Sequence, residues 1–232
     1  MIIQHLAIEN GWEGPEIVEN PKTLILGSFN PFNTNINRNA DYYYGRSTNH
    51  FWKSIARNLN LHEDYFCNNW DRKLEIMNKY QFCFQDIIDS IEIDFVDNQI
   101  DNDVILNNFM SAKIFKEFSD QVLFTSTTTY KGFKIRVKRN YNENVIQTLR
   151  TGSIKNIIHT MGNTTINQNF RTNWLENGLG GLGFQGYINR ILNQGVNFNP
   201  ISYSPSGRAV KGGGENYINF LDNWTNTNLI LR

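Results

Sequence analysis

The groups with chemistry to offer lie in two stretches of this sequence, residues 23–59 and residues 202–214. In the first, Asn30 and Asn49 carry amides that can orient a water molecule but cannot accept its proton. A reaction built on either therefore depends on stabilising its leaving group. Phe29 and Phe32 flank Asn30 and Pro31, and an aromatic there either packs its own loop or stacks on a flat ligand. In the second stretch, SYSPSGRAVKGGG, Arg208 and Lys211 stand on a Gly-rich segment. Such side chains are either solvated or in contact with phosphates.

The elements that must position these groups can be read from the apolar pattern. Leu24-Ile25-Leu26 is too short for a helix and is closed by Gly27-Ser28, so it reads as a buried parallel strand ending in a loop. Ser47 and Thr48 are N-cap candidates for a helix with Phe51, Ile55 and Leu59 on one face and Trp52 and Ala56 on an adjoining stripe. About 18 residues rich in Asn and Tyr separate strand and helix, too many for an ordinary connection. A long loop at the carboxyl end of a central strand is where open α/β sheets bind ligands. Asn49 falls at the helix N-terminus beside unpaired backbone N–H groups, as a cap, a loop anchor or a site residue.

The remaining segments are less regular. Residues 1–21 read as a surface lead-in with a short strand at most, and a helix is expected over residues 72–79. QFCFQDII, residues 81–88, gives a second strand followed by Asp86, and a helix is expected over residues 111–118. Val122-Leu123-Phe124 reads as a third strand. KIRVKR alternates Ile135 and Val137 with Lys134, Arg136 and Lys138, which suits either a solvated edge strand or a phosphate-contacting ribbon. Residues 154–163 offer a further strand with His159 near its end, as a core, rim or catalytic residue. The glycines of residues 178–186 lack a following Lys-Ser/Thr and form no P-loop. Helices are expected near residues 187–192 and 215–221, with a last strand at Ile201.

With 232 residues the chain is long enough for one large domain with a proper core, and residues 134–199 read as an insertion into it. The formal net charge of zero excludes a basic stripe over the whole surface, so any nucleic-acid contact must be local. Two cysteines, Cys67 and Cys83, make neither a disulfide framework nor a zinc or iron–sulfur site. No metal or other cofactor is implied. No targeting motif or long apolar run occurs, and the sequence predicts a soluble, cytoplasmic monomer that does not engage membranes.

GSFNPF followed by YYYGRSTNHFW resembles the first motif of the uracil-DNA glycosylase superfamily, nearest its mismatch-specific and hypoxanthine-type branches. Arg46, Asn49, Phe51 and Trp52 sit in the Arg-X-X-Asn-X-Phe-Trp part of that pattern. Nucleotidyltransferases open with a string similar to Gly-Ser-Phe-Asn-Pro, but they need a His-X-Gly-His, and residues 34–38 read Thr-Asn-Ile-Asn-Arg. Asp86-Ile87-Ile88 is similar to an Asp-aliphatic-aliphatic run after the family's second strand. Ser204-Pro205-Ser206-Gly207 fits the second motif, with Ser204 where relatives place His or Asn. The branches that carry a four-cysteine cluster are excluded by the cysteine count.

The resemblance implies a three-layer α/β/α domain with a four-stranded parallel sheet in the order 2-1-3-4, its strands starting near Leu24, Phe82, Val122 and Ile201. It implies a DNA glycosylase of base-excision repair that flips a deaminated base, uracil or hypoxanthine, from damaged or mismatched DNA and hydrolyses its bond to the sugar. Catalytic roles fall on Asn49, Asn30 and Ser204, base binding on Gly27, Ser28, Phe29, Phe32 and Tyr44, and DNA contacts on Arg46, Ser206, Gly207, Arg208 and Lys211. Gly27-Ser28-Phe29-Asn30-Pro31 is one residue longer than the family's turn. Asn30 therefore positions water in one register, whereas in the hypoxanthine-type register the role passes to Asn49. The missing Asp and His also fit a second reading, a catalytically weakened member that binds a nucleobase, nucleotide or damaged DNA without turnover. Both readings expect one cleft where residues 28–49 and 204–213 meet.

Overall fold

Residues 2–12, 17–29, 41–95, 126–130, 133–160, 184–199 and 204–230 are described by the computed structural model. The chain starts with strand β1 (Ile2–Gln4) and a single turn of helix, α1 (Leu6–Glu9). Where the sequence suggests a surface lead-in, Ile3, His5, Leu6 and Ala7 are buried. The segment is too short to show a period, and pairing with a distant strand turns it inward.

β2 (Thr23–Gly27) is buried at every position. Burying Leu24, Ile25 and Leu26 is worth about 1.5–3 kcal/mol each relative to leaving them in water. α2 (Phe51–Asn58) follows the long loop and buries Phe51, Trp52, Ser54, Ile55 and Ala56. Its cap differs from the expected Ser47 or Thr48. His50 holds the cap position without a side-chain bond, and Asn49 Oδ1 accepts the Phe51 N–H at 2.9 Å. α3 (Trp70–Tyr80) starts on Asn69, whose side chain accepts the Arg72 N–H, and ends at Gln81 with a left-handed φ of 54°. β3 (Phe82–Asp86) then pairs in parallel with β2, from Thr23↔Phe82 to Gly27↔Asp86.

One residue, Ile87, separates β3 from β4 (Ile88–Phe95). β5 (Ser126–Tyr130) and β6 (Phe133–Tyr141) complete an antiparallel sheet in the order β1-β4-β6-β5. β6 contains KIRVKR, so this segment lies inside a sheet and is not the solvated edge considered from the sequence. Arg136 pairs with Asp94 at 2.9 Å, and Lys138 with Glu92 at 3.2 Å. Cross-strand carboxylates thus pair with Arg136 and Lys138 on the basic face.

α4 (Glu143–Arg150) is capped by Asn142 and leads to β7 (Asn156–His159). α5 (Phe184–Leu192) and the two-residue β8 (Asn197–Phe198) follow. The parallel sheet therefore reads β3-β2-β7-β8. Val122–Phe124 and Ile201, expected as its third and fourth strands, lie outside the described residues, as does the helix expected over residues 111–118. Within the described residues β7, the strand expected in residues 154–163, and β8 complete that sheet, and the residues just after 122–124 form β5 of the other sheet.

α6 (Gly207–Thr225) closes the fold, running into a π-helical turn at Asn226–Ile230. Residues 207–214, read as a Gly-rich loop, are the first turns of this helix, and a φ of 61° at Gly214 kinks it. α6 packs on α2: Arg57 makes a bidentate contact with Asp222 at 2.6 and 2.7 Å, and Ser54 Oγ donates to Thr225 Oγ1 at 2.9 Å. No helix among the described residues is long and apolar enough to cross a membrane.

Candidate active site

The carboxyl ends of β2, β3 and β7 bring Gly27, Asp86 and Thr160 together. Gly27 and Asp86 are register partners, and the Thr160 N–H donates to Leu26 O at 3.1 Å. A Cβ added to Gly27 would lie 2.1 Å from Asp86 Oδ1 and 2.6 Å from the Tyr44 hydroxyl. Glycine is required because both groups converge on that point. The Tyr44 hydroxyl also meets Thr160 Oγ1 at 2.5 Å, which ties the loop to the end of β7.

His5 completes this cluster from the amino-terminal segment. Its Nδ1 accepts the Ala7 N–H at 3.0 Å, so its Nε2 carries the hydrogen and donates to Asp86 Oδ2 at 2.7 Å. The imidazole is 1 % exposed and Asp86 is 4 % exposed. The Asp86 backbone carbonyl accepts from Asn142 Nδ2 at 3.0 Å. Asp86 is the carboxylate that His5 holds in this cluster.

The tyrosine-rich loop is positioned by aromatic packing against β3 and α2. Tyr43 stacks on Phe84 with ring centroids 5.4 Å apart, Tyr44 stacks on Phe51 at 5.1 Å, and Trp52 Nε1 donates to Tyr43 O at 2.7 Å. Tyr42 is fully buried, and burial raises its phenol well above the usual range. Tyr44 takes a left-handed φ of 58°, strained for a bulky residue and paid for by these contacts. Lys73, 1 % exposed, forms an ion pair with Asp41 at the start of the described loop.

The two stretches singled out from the sequence meet at the far end of this loop. The His50 N–H donates to Pro205 O at 2.7 Å, and a Cβ on Gly207 would lie 2.3 Å from Thr48 O. His50 Nδ1 is buried without a hydrogen-bond partner. Burial, with Lys53 and Arg57 nearby, holds its pKa below the ordinary imidazole value. Beside the junction a shallow depression is lined by Tyr44, Arg46, Asn49, Lys53, Asp64 and Cys67, among others.

The expected site residues divide accordingly. Gly27 and Tyr44 lie together at the strand ends, with half-buried Ser28 next in sequence. Phe29 is 7 % exposed, its ring edge-on to His5 at 5.5 Å, so it belongs to the core and offers no open stacking face. Asn30 and Phe32 lie outside the described residues. Asn49 spends its amide oxygen on the helix start. Ser204 Oγ donates to Ser206 Oγ at 3.2 Å, and Ser206 caps α6 by accepting the Ala209 N–H. Gly207 packs on Thr48, while Arg46, Arg208 and Lys211 are exposed. His159 is fully buried with its ring stacked on Phe198 at 5.5 Å, a core histidine.

Sequence reasoning noticed Asp86 without giving it a role and passed over His5 altogether. A lone His in an aperiodic lead-in carries no signal, because its partner lies 81 residues away. Among the described residues no group of three or more His, Cys, Asp or Glu is arranged to hold a metal ion. Comparison with family models, curated protein sequences and solved structures finds no match.

Proposed function

We propose that this chain is a monofunctional DNA glycosylase that hydrolyses the bond between a deaminated base, uracil or hypoxanthine, and its sugar. The observation that carries the reading is the junction of residues 48–50 with residues 205–207, made by the His50–Pro205 hydrogen bond and the Gly207–Thr48 contact. The two stretches that resemble the glycosylase motifs are more than 150 residues apart in sequence, yet they touch. The described parallel sheet reads β3-β2-β7-β8. The end of such a sheet is a crevice suited to a flipped base. Arg208 and Lys211, exposed on the first turns of α6 behind its Ser206 cap, are suited to the phosphates on either side.

A binding-only member is the second reading. It is favoured by the use of Asn49 Oδ1 and Ser204 Oγ in local hydrogen bonds, which leaves neither poised over a substrate. A strand-nicking assay separates the two. Oligonucleotides bearing uracil, hypoxanthine or xanthine, single-stranded, matched and mismatched, are incubated with the protein and then cleaved at abasic sites. Excision of at least one base is the expected result. Tight lesion binding with no excision leaves the second reading, and neither binding nor excision removes both.

A further inference from the structure

We infer that Asp86, held by His5, is the group that takes the proton from the attacking water. The inference rests on the glycosylase reading and supplies what that reading lacks, since an amide cannot act as a base. A carboxylate can, provided one oxygen is fixed and the other faces the reacting space. Asp86 Oδ2 is fixed by His5 Nε2–H at 2.7 Å. Oδ1 lies against Gly27, 2.1 Å from where a Cβ would stand, and has no hydrogen bond among the described residues. The Tyr44 hydroxyl, paired with Thr160 Oγ1, reaches the same point.

The roles within the pair are not interchangeable. His5 Nδ1 accepts the Ala7 N–H and the imidazole is 1 % exposed, which leaves its Nε2–H to hold Asp86 Oδ2. His5 is therefore the positioning residue and Asp86 the base. In the step, the water oxygen bonds to C1′ of the sugar while the C1′–N bond breaks and its electron pair leaves with the base. The water proton passes to Asp86 Oδ1, and from there to the departing base or to solvent. The titratable groups facing the pair are Tyr43 and Tyr44 from the loop and Asp89 from β4.

The test uses the full chain under single-turnover conditions on its best lesion substrate. Asp86→Asn keeps an oxygen that can accept from His5 Nε2–H, so the fold and lesion binding should stay within about threefold of wild type while excision falls about 10²–10⁴-fold. Asp86→Ala should be partly restored by millimolar formate, a small carboxylate that replaces the missing base, and not by chloride. His5→Phe should slow excision and weaken its response to pH, whereas His5→Gln, which keeps a donor for Asp86, should retain most of the rate. Asp86→Asn that excises within threefold of wild type overturns the inference and leaves the glycosylase reading intact. Loss confined to lesion binding, or loss in Asp86→Ala that formate does not restore, also overturns it. Wild type that excises no lesion removes the glycosylase reading and this inference together.

Discussion

Replacing Gly207 by Ala tests the junction that the functional reading depends on. The new methyl would lie 2.3 Å from Thr48 O and 3.3 Å from the Thr48 carbonyl carbon, both backbone atoms that cannot rotate away. Ordinary contact needs about 1 Å more, and overpacking of this kind costs about 1–3 kcal/mol. Opening the junction by that amount stretches the 2.7 Å His50–Pro205 bond beyond hydrogen-bonding range. That adds about 0.5–1.5 kcal/mol. Reduced freedom of the unfolded chain returns about 0.4–1 kcal/mol, for a net destabilisation of about 0.5–4 kcal/mol. Gly212, further along the same helix with nothing within 4 Å of an added Cβ, is the internal control. Gly212→Ala should gain about 0.5–1 kcal/mol through helix propensity alone. Urea midpoints of the three proteins at constant m-value give both numbers. Gly207→Ala as stable as wild type would mean that the two stretches do not touch, and the reasoning from their junction would fail.

Three further outcomes are expected. Asn142 is 2 % exposed; its Nδ2 donates to Asp86 O and its Oδ1 accepts the Asn144 N–H, so Asn142→Ala should cost about 2–3 kcal/mol in a denaturant titration. Burial pushes the Cys83 thiol up to about 12, whereas Cys67 is exposed. At pH 8 iodoacetamide should therefore label Cys67 alone, with Cys83 reacting only in denaturant, as intact mass reads directly. The folded pKa of His50 is lowered, by burial first and then by Lys53 and Arg57, against the opposing Glu63 and Asp222. The unfolded chain takes up that proton first, so this contribution is complete above the ordinary imidazole range and is lost as pH falls through the folded value. His50→Gln should flatten the decline in melting temperature between about pH 7 and pH 5.

What could be read in the sequence followed from strength of pattern. Leu24–Leu26 and QFCFQDII are apolar runs bounded by polar residues, and each became a strand of the parallel sheet. The i, i+4 spacing of Phe51 and Ile55 gave α2, and the helix expected over residues 72–79 is α3 with a residue or two added at each end. The strand expected within residues 154–163 is β7, whereas Asn197–Phe198 was missed because two residues carry no readable pattern. The first turns of α6 were hidden because three adjacent glycines, Gly212 to Gly214, disfavour helix on propensity. Packing against α2 through Asp222 and Thr225 outweighs that cost further along. At the site, the meeting of the two stretches was legible as motif, whereas the His5–Asp86 pair is a tertiary fact with no local pattern.

The single residue between β3 and β4 limits how this protein can be re-engineered. Ile87 and Ile88 donate their N–H groups to Gly27 O and Ser28 O at 3.0 and 3.1 Å, and Asn142 returns a bond to Ile87 O at 2.9 Å. The root of the antiparallel sheet is thus fastened by main-chain bonds that need no particular side chains, and the register irregularity between Ile88 and Ser90 is set there as well. Beyond Ile91 the strands can be exchanged for another hairpin of matched register, because the strand ends of the parallel sheet are already fixed. A graft cut at Ile88, or one residue gained or lost at Asp89, would instead shift the faces of β4. Any chimaera should therefore keep residues 82–91 and 139–142 as one inherited block.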